Sequence, residues 1–209
     1  MGPQGSGKGL MMKFARESGE EVYASSEEMR KHPTYPNILK IMENGGLVPD
    51  NMVLKVFEEY LNGLQLKQDN NIYLDGFPRT LPQQNALDKL LQEKGFPLPL
   101  AVLLKIGNTR EEIKNISLES MLFRARRMEA KGEEPRKDDV DKQARESRVE
   151  DFFRYTLPVI EAYNENGRLI VIDAKPQFDY STLRPDEGVV VYNHAKKVYA
   201  ALQEALATR

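Results

Sequence analysis

Apolar residues recur along this chain at helical and strand spacings, in alternation. Leu10, Met11, Phe14 and Ala15 share one helical face across residues 8–18, and Gly19 stops that helix. Val22-Tyr23-Ala24 reads as a short strand. An amphipathic helix is expected over 37–44, ending at Gly45-Gly46, and another over 51–63 bearing Val53, Val56, Phe57, Tyr60 and Leu61. Asn71–Asp75 is a strand candidate that ends at Gly76, and a helix over 82–93 starts at Pro82, a residue suited to a first helical turn. Residues 101–106 form a largely apolar run, as a buried parallel strand requires. A polar helix over 110–130, a charged turn over 131–139 and a helix over 140–166 follow, with Gly167 as C-cap. Leu169–Asp173 is a further buried strand, and 193–206 a final helix. Strands alternating with helices predict an α/β fold, a parallel sheet with helices on both faces. The stretch 175–192 is an extra segment in which Gly188–Tyr192 reads as a short strand.

The chain of 209 residues is long enough for one domain with a full core. Thirty Lys and Arg stand against 32 Asp and Glu, for a formal net charge of −2, which argues against nucleic-acid binding through a broad basic face. Without cysteine there is no disulfide or thiolate metal site, and His32 and His194 are far apart and expected to be surface or satisfied residues. No apolar run is long enough to span a membrane and no signal peptide precedes the first motif, so a soluble cytoplasmic protein is expected.

That first motif is Gly2-Pro3-Gln4-Gly5-Ser6-Gly7-Lys8-Gly9, a match to the phosphate-binding pattern G-x-x-x-x-G-K. Backbone N–H groups must turn inward around phosphate oxygens, and glycine permits both the turn and the close approach. Lys8 adds a positive charge, and the following helix N-terminus adds its dipole. A flexible glycine-rich terminus is the bland alternative. Such a loop ordinarily follows a strand. Almost nothing precedes this one, so either the first strand is lost or another segment fills its slot, for which 188–192 is a candidate.

Asp75-Gly76-Phe77-Pro78-Arg79-Thr80-x-x-Gln83 follows a strand and so falls at the carboxyl edge of the sheet, where ligands bind. Arg79 offers a planar fork for a phosphate, and Gln83 can donate to and accept from a base edge. Arg124 and Arg127 lie at i, i+3 on one helix, and Arg136 and Arg148 follow. Converging arginines suit phosphoryl transfer, in which charge on the moving group must be neutralised. A pair such as Arg124 and Arg127, taken alone, is more often a solvated face.

With these motifs in order, residues 2–175 resemble the adenylate kinase family of nucleoside monophosphate kinases. Gly2–Gly9 and Asp75–Gln83 carry the match most specifically, supported by Leu47–Asp50 and Arg136–Ile172. The resemblance implies a P-loop kinase domain over 1–209, with an acceptor-nucleotide lobe at about 24–63 and a short lid at about 127–139. Gly5, Ser6, Gly7, Lys8, Gly9, Leu10, Arg124 and the backbone at Lys175 would meet ATP. Ser25, Arg30, Val48, Gly76, Arg79, Gln83 and Arg148 would meet AMP. Lys8, Arg79, Arg127, Arg136 and Arg148 would be catalytic, with either Arg124 or Arg127 closing over the nucleotides. Asp138 and Asp139 would fix those arginines, and Asp75 would orient water on an ATP-bound Mg²⁺.

The activity so implied is ATP plus AMP to two ADP, in a monomer. Gln83 favours AMP, since members acting on UMP or CMP tend to carry Asn there; a UMP/CMP kinase is the alternative within the class. The chain also departs from the family. Leu10 replaces a threonine, Ala24-Ser25-Ser26-Glu27 replaces Ser-Thr-Gly-Asp, the 30–48 stretch is short with Pro33 and Pro36, and one extra residue separates Arg136 from Arg148. Leu10 and the missing first strand motivate a third reading, a nucleotide-binding protein of this fold with lost or weak transfer.

Overall fold

The computed structural model describes residues 1–32, 38, 40–41, 48–64 and 71–208. The expected helix at 37–44 lies mostly outside these, although Ile38, Lys40 and Ile41 are helical. Leu47 lies outside them too. The described elements are α1 (Lys8–Glu17), β1 (Glu21–Ala24), α2 (Ser25–Lys31), α3 (Asp50–Gly63), β2 (Ile72–Asp75), α4 (Leu81–Glu93), β3 (Ala101–Lys105), α5 (Arg110–Ala130), α6 (Lys137–Val140), α7 (Lys142–Asp151), α8 (Leu157–Glu165), β4 (Leu169–Asp173) and α9 (Gly188–Ala207). This is an α/β fold with parallel strands. Among the described residues they form two parallel pairs, β1 with β2 and β3 with β4, and no single continuous sheet.

Each pair has its own core. Tyr23, Phe57 and Phe77 stack beside β1, with ring centroids 4.9 Å apart for Tyr23–Phe57 and for Phe57–Phe77, among Val53, Val56, Leu61 and Leu87. Leu104, Ile106, Ile170 and Ile172 of the β3–β4 side pack with Met11 and Phe14 of α1 and Ala195, Val198 and Leu202 of α9.

Local chemistry sets the helix ends. Thr80 caps α4 by accepting from the Gln83 N–H, Thr109 caps α5 through the Glu112 N–H, and Asp141 caps α7 through the Ala144 N–H. That last cap divides the expected turn and helix differently: α6 occupies the end of 131–139, and α7 starts afresh after it. The expected continuous helix to 166 is also broken by a wide π turn at Phe152–Thr156. Pro158 explains the break, since its ring lacks an N–H and crowds the carbonyl four residues back, which a widened turn relieves.

The run 188–192 is not a strand, which corrects the expectation that it fills the slot beside the loop. It forms the first turns of α9. Gly188, Ala195, Val198 and Leu202 are buried at helical spacing, whereas Val189 is 61% exposed, a pattern that suits one helical face and no buried strand. Met1 lies alongside β3 instead: its amino group donates to the Val102 carbonyl, and its carbonyl accepts from the Leu104 N–H at 3.0 Å.

Candidate active site

One cleft of about 550 Å³ opens where α1, β1, β2, α5 and α7 converge. Its floor is the glycine loop. Gly5 and Gly7 have φ of 79° and 88°, in the left-handed region that glycine occupies without strain. At Gly5 a side chain is also excluded by packing, because a Cβ would sit 1.7 Å from Ser120 Oγ on α5. Gly7 is the N-cap of α1, so the positive end of that helix faces the cleft. Lys8 folds back on the loop, donating to the Gly2 and Pro3 carbonyls at 2.6 and 2.7 Å and to Ser6 Oγ at 3.3 Å. Ser6 is buried behind the loop and is not part of the cleft wall.

Burial pulls the Lys8 ammonium down to about 8; Asp75 opposes the shift, and Arg79, Arg148 and Arg124 add to it. Three arginines from three different helices or loops therefore converge on one lysine. Burial also lowers Arg79, against the pull of Asp75 and Asp151; since the Arg79 side chain remains open to cleft water, it keeps its charge at neutral pH.

Asp139 organises this arginine cluster from a position with no exposed surface. Its carboxylate accepts both Arg124 Nε and Nη2 at 2.6 Å and Arg148 Nη1 at 3.3 Å. Arg148 also pairs with Asp138 at 2.6 Å. Arg145 donates to the Asp139 and Val140 carbonyls, each at 2.6 Å, which pins α6 against α7. Burial works against the Arg124 charge, but the bidentate Asp139 outweighs it and raises that guanidinium. Arg127 and Arg136 line the cleft as well. Arg127 abuts the start of α9, where a Cβ on Gly188 would lie 2.4 Å from its Cζ.

The cleft is walled by Ser25, Arg30, Val48, Gly76, Arg79 and Gln83, and also by Phe123, Tyr180 and Val191. Tyr180 packs 5.7 Å from Phe123 and 5.0 Å from Phe178, centroid to centroid, and its carbonyl accepts from Arg126 Nη2 at 3.0 Å. Burial pushes its phenol up to about 12, with Arg124 opposing.

The adenylate kinase family profile matches residues 1–168, most of the chain. The chain belongs to the adenylate kinase family. It is 31% identical over 212 residues to a protein named adenylate kinase from Nitrobacter hamburgensis, covering 99% of this chain and 91% of that protein. It is 35% identical over 179 residues to one from Azorhizobium caulinodans, covering 83% of this chain and 88% of the relative. Identity to one from Thermus thermophilus is 32% over 197 residues, covering 90% and 95%.

Of the residues that resemblance to adenylate kinases singles out, the cleft gathers Gly5, Gly7, Lys8, Gly9, Leu10, Ser25, Arg30, Val48, Asp75, Gly76, Arg79, Gln83, Arg124, Arg127, Arg136 and Arg148. Lys175 lies outside the residues that line this cleft; its Nζ pairs with Glu112, and its N–H donates to Asp173 at 3.0 Å. Asp151, Phe152, Tyr155 and Tyr180 line the cleft and were missed. Asp151 had a signal, lying three positions beyond Arg148 on the same helix. Tyr180 had none, since it belongs to the extra segment.

Proposed function

We propose that this chain transfers the γ-phosphoryl of ATP to AMP, giving two ADP. The observation that carries the reading is the convergence of Lys8, Arg79, Arg124 and Arg148 above a glycine loop at a helix N-terminus, with Gln83 lining the same cleft. In this reading Lys8 leaves its loop carbonyls for the moving phosphoryl group, Arg79 holds the acceptor phosphate, and Arg124 and Arg148 neutralise charge as it spreads. Arg127 and Arg136 close from the short 127–139 lid, and residues 24–63 act as the acceptor lobe. No covalent residue is required; alignment and exclusion of water do the work.

Among the described residues no group of acidic or histidine side chains forms a metal cage. Asp75, at the cleft edge of β2, suits a hydrated Mg²⁺ that arrives with ATP, and such an ion would neutralise the donor phosphates. Leu10 favours a second reading, nucleotide binding without transfer, because it contributes no hydroxyl and packs partly into the core around α1. Both readings are tested by measuring ADP formed from ATP with AMP, with CMP as the competing acceptor. Lys8→Met should lower kcat by at least about a thousandfold while the chain stays folded. Near-normal turnover in that variant would overturn the phosphoryl-transfer assignment, and nucleotide binding with no ADP from the unmodified chain would favour the second reading.

A further inference from the structure

The side-chain amide of Gln83, 4% exposed, is held at both ends. Its Nε2 donates to Asp50 Oδ1 at 2.7 Å, and its Oε1 accepts from the Arg79 backbone N–H at 2.7 Å. Asp50 opens α3, and its second carboxylate oxygen accepts from Thr80 Oγ1 at 3.1 Å. Thr80 Oγ1 in turn accepts from the Gln83 N–H at 3.2 Å. Both amide partners act in one sense only: a carboxylate accepts and a peptide N–H donates. The orientation of this amide is therefore determined by its neighbours, which is unusual for a glutamine. A primary amide has two N–H donors and two acceptor lone pairs. With one of each spent on Asp50 and Arg79, one N–H and one lone pair remain, in a fixed order.

That order has a chemical consequence where Gln83 lines the cleft. A 6-aminopurine presents a donor at its exocyclic amine beside an acceptor at N1. A 6-oxopurine presents the reverse, an acceptor at O6 beside a donor at N1. A glutamine free to turn its amide by half a rotation would read either. Turning Gln83 would set its oxygen against the Asp50 carboxylate and its NH₂ against the Arg79 N–H, two repulsive contacts in place of two hydrogen bonds.

We propose that Asp50 is a positioning residue that locks the Gln83 amide in one sense, so that the acceptor site takes 6-aminopurine monophosphates and refuses 6-oxopurine ones. The inference rests on the reading of Gln83 as the residue that meets the acceptor base. Sites built on hydrogen bonds discriminate strongly because a mismatched base leaves buried polar groups unpaired. Asp50 touches no substrate in this account; it acts through Gln83.

The test compares AMP with inosine monophosphate, which differ only at C6 and N1. Steady-state kcat/KM with ATP as donor, and calorimetric Kd for each monophosphate, are measured for the unmodified chain, Asp50→Asn and Gln83→Ala. Asn is nearly isosteric and can pair with either sense of the Gln83 amide by turning its own. Asp50→Asn is expected to narrow the AMP-over-IMP preference by about tenfold, in Kd as in kcat/KM, with the KM for ATP and the melting temperature held. A purely structural role would weaken both monophosphates together and leave their ratio alone. An unchanged ratio in Asp50→Asn, with loss of preference in Gln83→Ala, overturns the lock while keeping Gln83 as reader. An unchanged ratio in both overturns the inference together with that role of Gln83. Absence of ADP from the unmodified chain overturns the transfer reading, and the Kd ratio then decides the lock by itself.

Discussion

Asp139 and Arg124 form a fork-to-fork pair, two parallel hydrogen bonds of 2.6 Å, and the carboxylate has no exposed surface. A second cation, Arg148, leans on the same carboxylate. A buried acid with two arginines is costly to leave half-broken. Asp139→Ala should destabilise the fold by about 3–5 kcal/mol, because Arg124 loses its bidentate counter-charge and Arg148 is left with Asp138 alone. Asp139→Asn should cost less stability, yet lower turnover at least about tenfold by loosening both arginines. Chemical denaturation and ADP formation measure the two effects separately; equal stability of Asp139→Ala and the unmodified chain would contradict this account.

The lowered pKa of Lys8 predicts how nucleotide binding and stability depend on pH. In the free protein its ammonium titrates at about 8, chiefly because of burial. Phosphate oxygens favour the charged form, so binding ATP should take up a proton at and above that pH. ATP affinity should therefore hold below about 8 and fall as pH rises beyond it. The calorimetric binding heat should depend on the buffer's ionisation enthalpy, and Lys8→Met should remove that dependence. For stability, the unfolded lysine has a pKa near 10.5 and the folded one about 8, so the native state binds fewer protons between them. This group's contribution should then rise with pH across that window.

Arg79→Ala should raise the KM for AMP and lower kcat together. Its Nε donates to the Gly76 carbonyl at 2.9 Å, which orients the guanidinium at the edge of the cleft. A fork that both binds and aligns a phosphate loses on both counts when removed. An effect confined to the KM for ATP would move Arg79 to the donor side.

Leu10→Thr should leave turnover equal or higher. Leu10 is half-buried in the first turn of α1 and lines the cleft, so a hydroxyl there would face bound phosphates. A loss of activity, read beside the melting temperature, would mean that its packing against the α1 core matters more than its proximity to the phosphates.

Much of this fold could be read from residue spacing. α1, α3 and α4 follow their apolar periodicity to within a residue or so, and β3 and β4 form on the apolar runs expected as strands, although β4 is buried only at Ile170 and Ile172 and leaves Val171 exposed. The Val-rich start of α9 misled because β-branched residues favour strands, while its true pattern, Gly188 to Leu202, declares itself only over four turns. The break at Phe152–Thr156 was foreshadowed by Pro158, although a proline two residues into a helix is equally at home as a starter. At the site, motif residues were legible because loop chemistry constrains them locally. The Asp50–Gln83 bond and the seat of Tyr180 against Phe123 join distant segments, and no spacing rule reaches that far.

The two strand pairs have a consequence for how the molecule holds together. No backbone ladder joins β1–β2 to β3–β4 among the described residues. α1 lies against β1, β2 and α9, and its side chains Met11 and Phe14 share the core of the β3–β4 pair. The helix that offers its N-terminus to phosphate is thus also a keystone between two halves, beside Tyr73 of β2, which packs against the β3–β4 core. A nucleotide seated on the glycine loop would steady that keystone, and its binding energy would appear partly as cohesion between the halves. In amide hydrogen exchange, the two strand pairs should open at different rates in the free protein and at converging rates when ATP is bound.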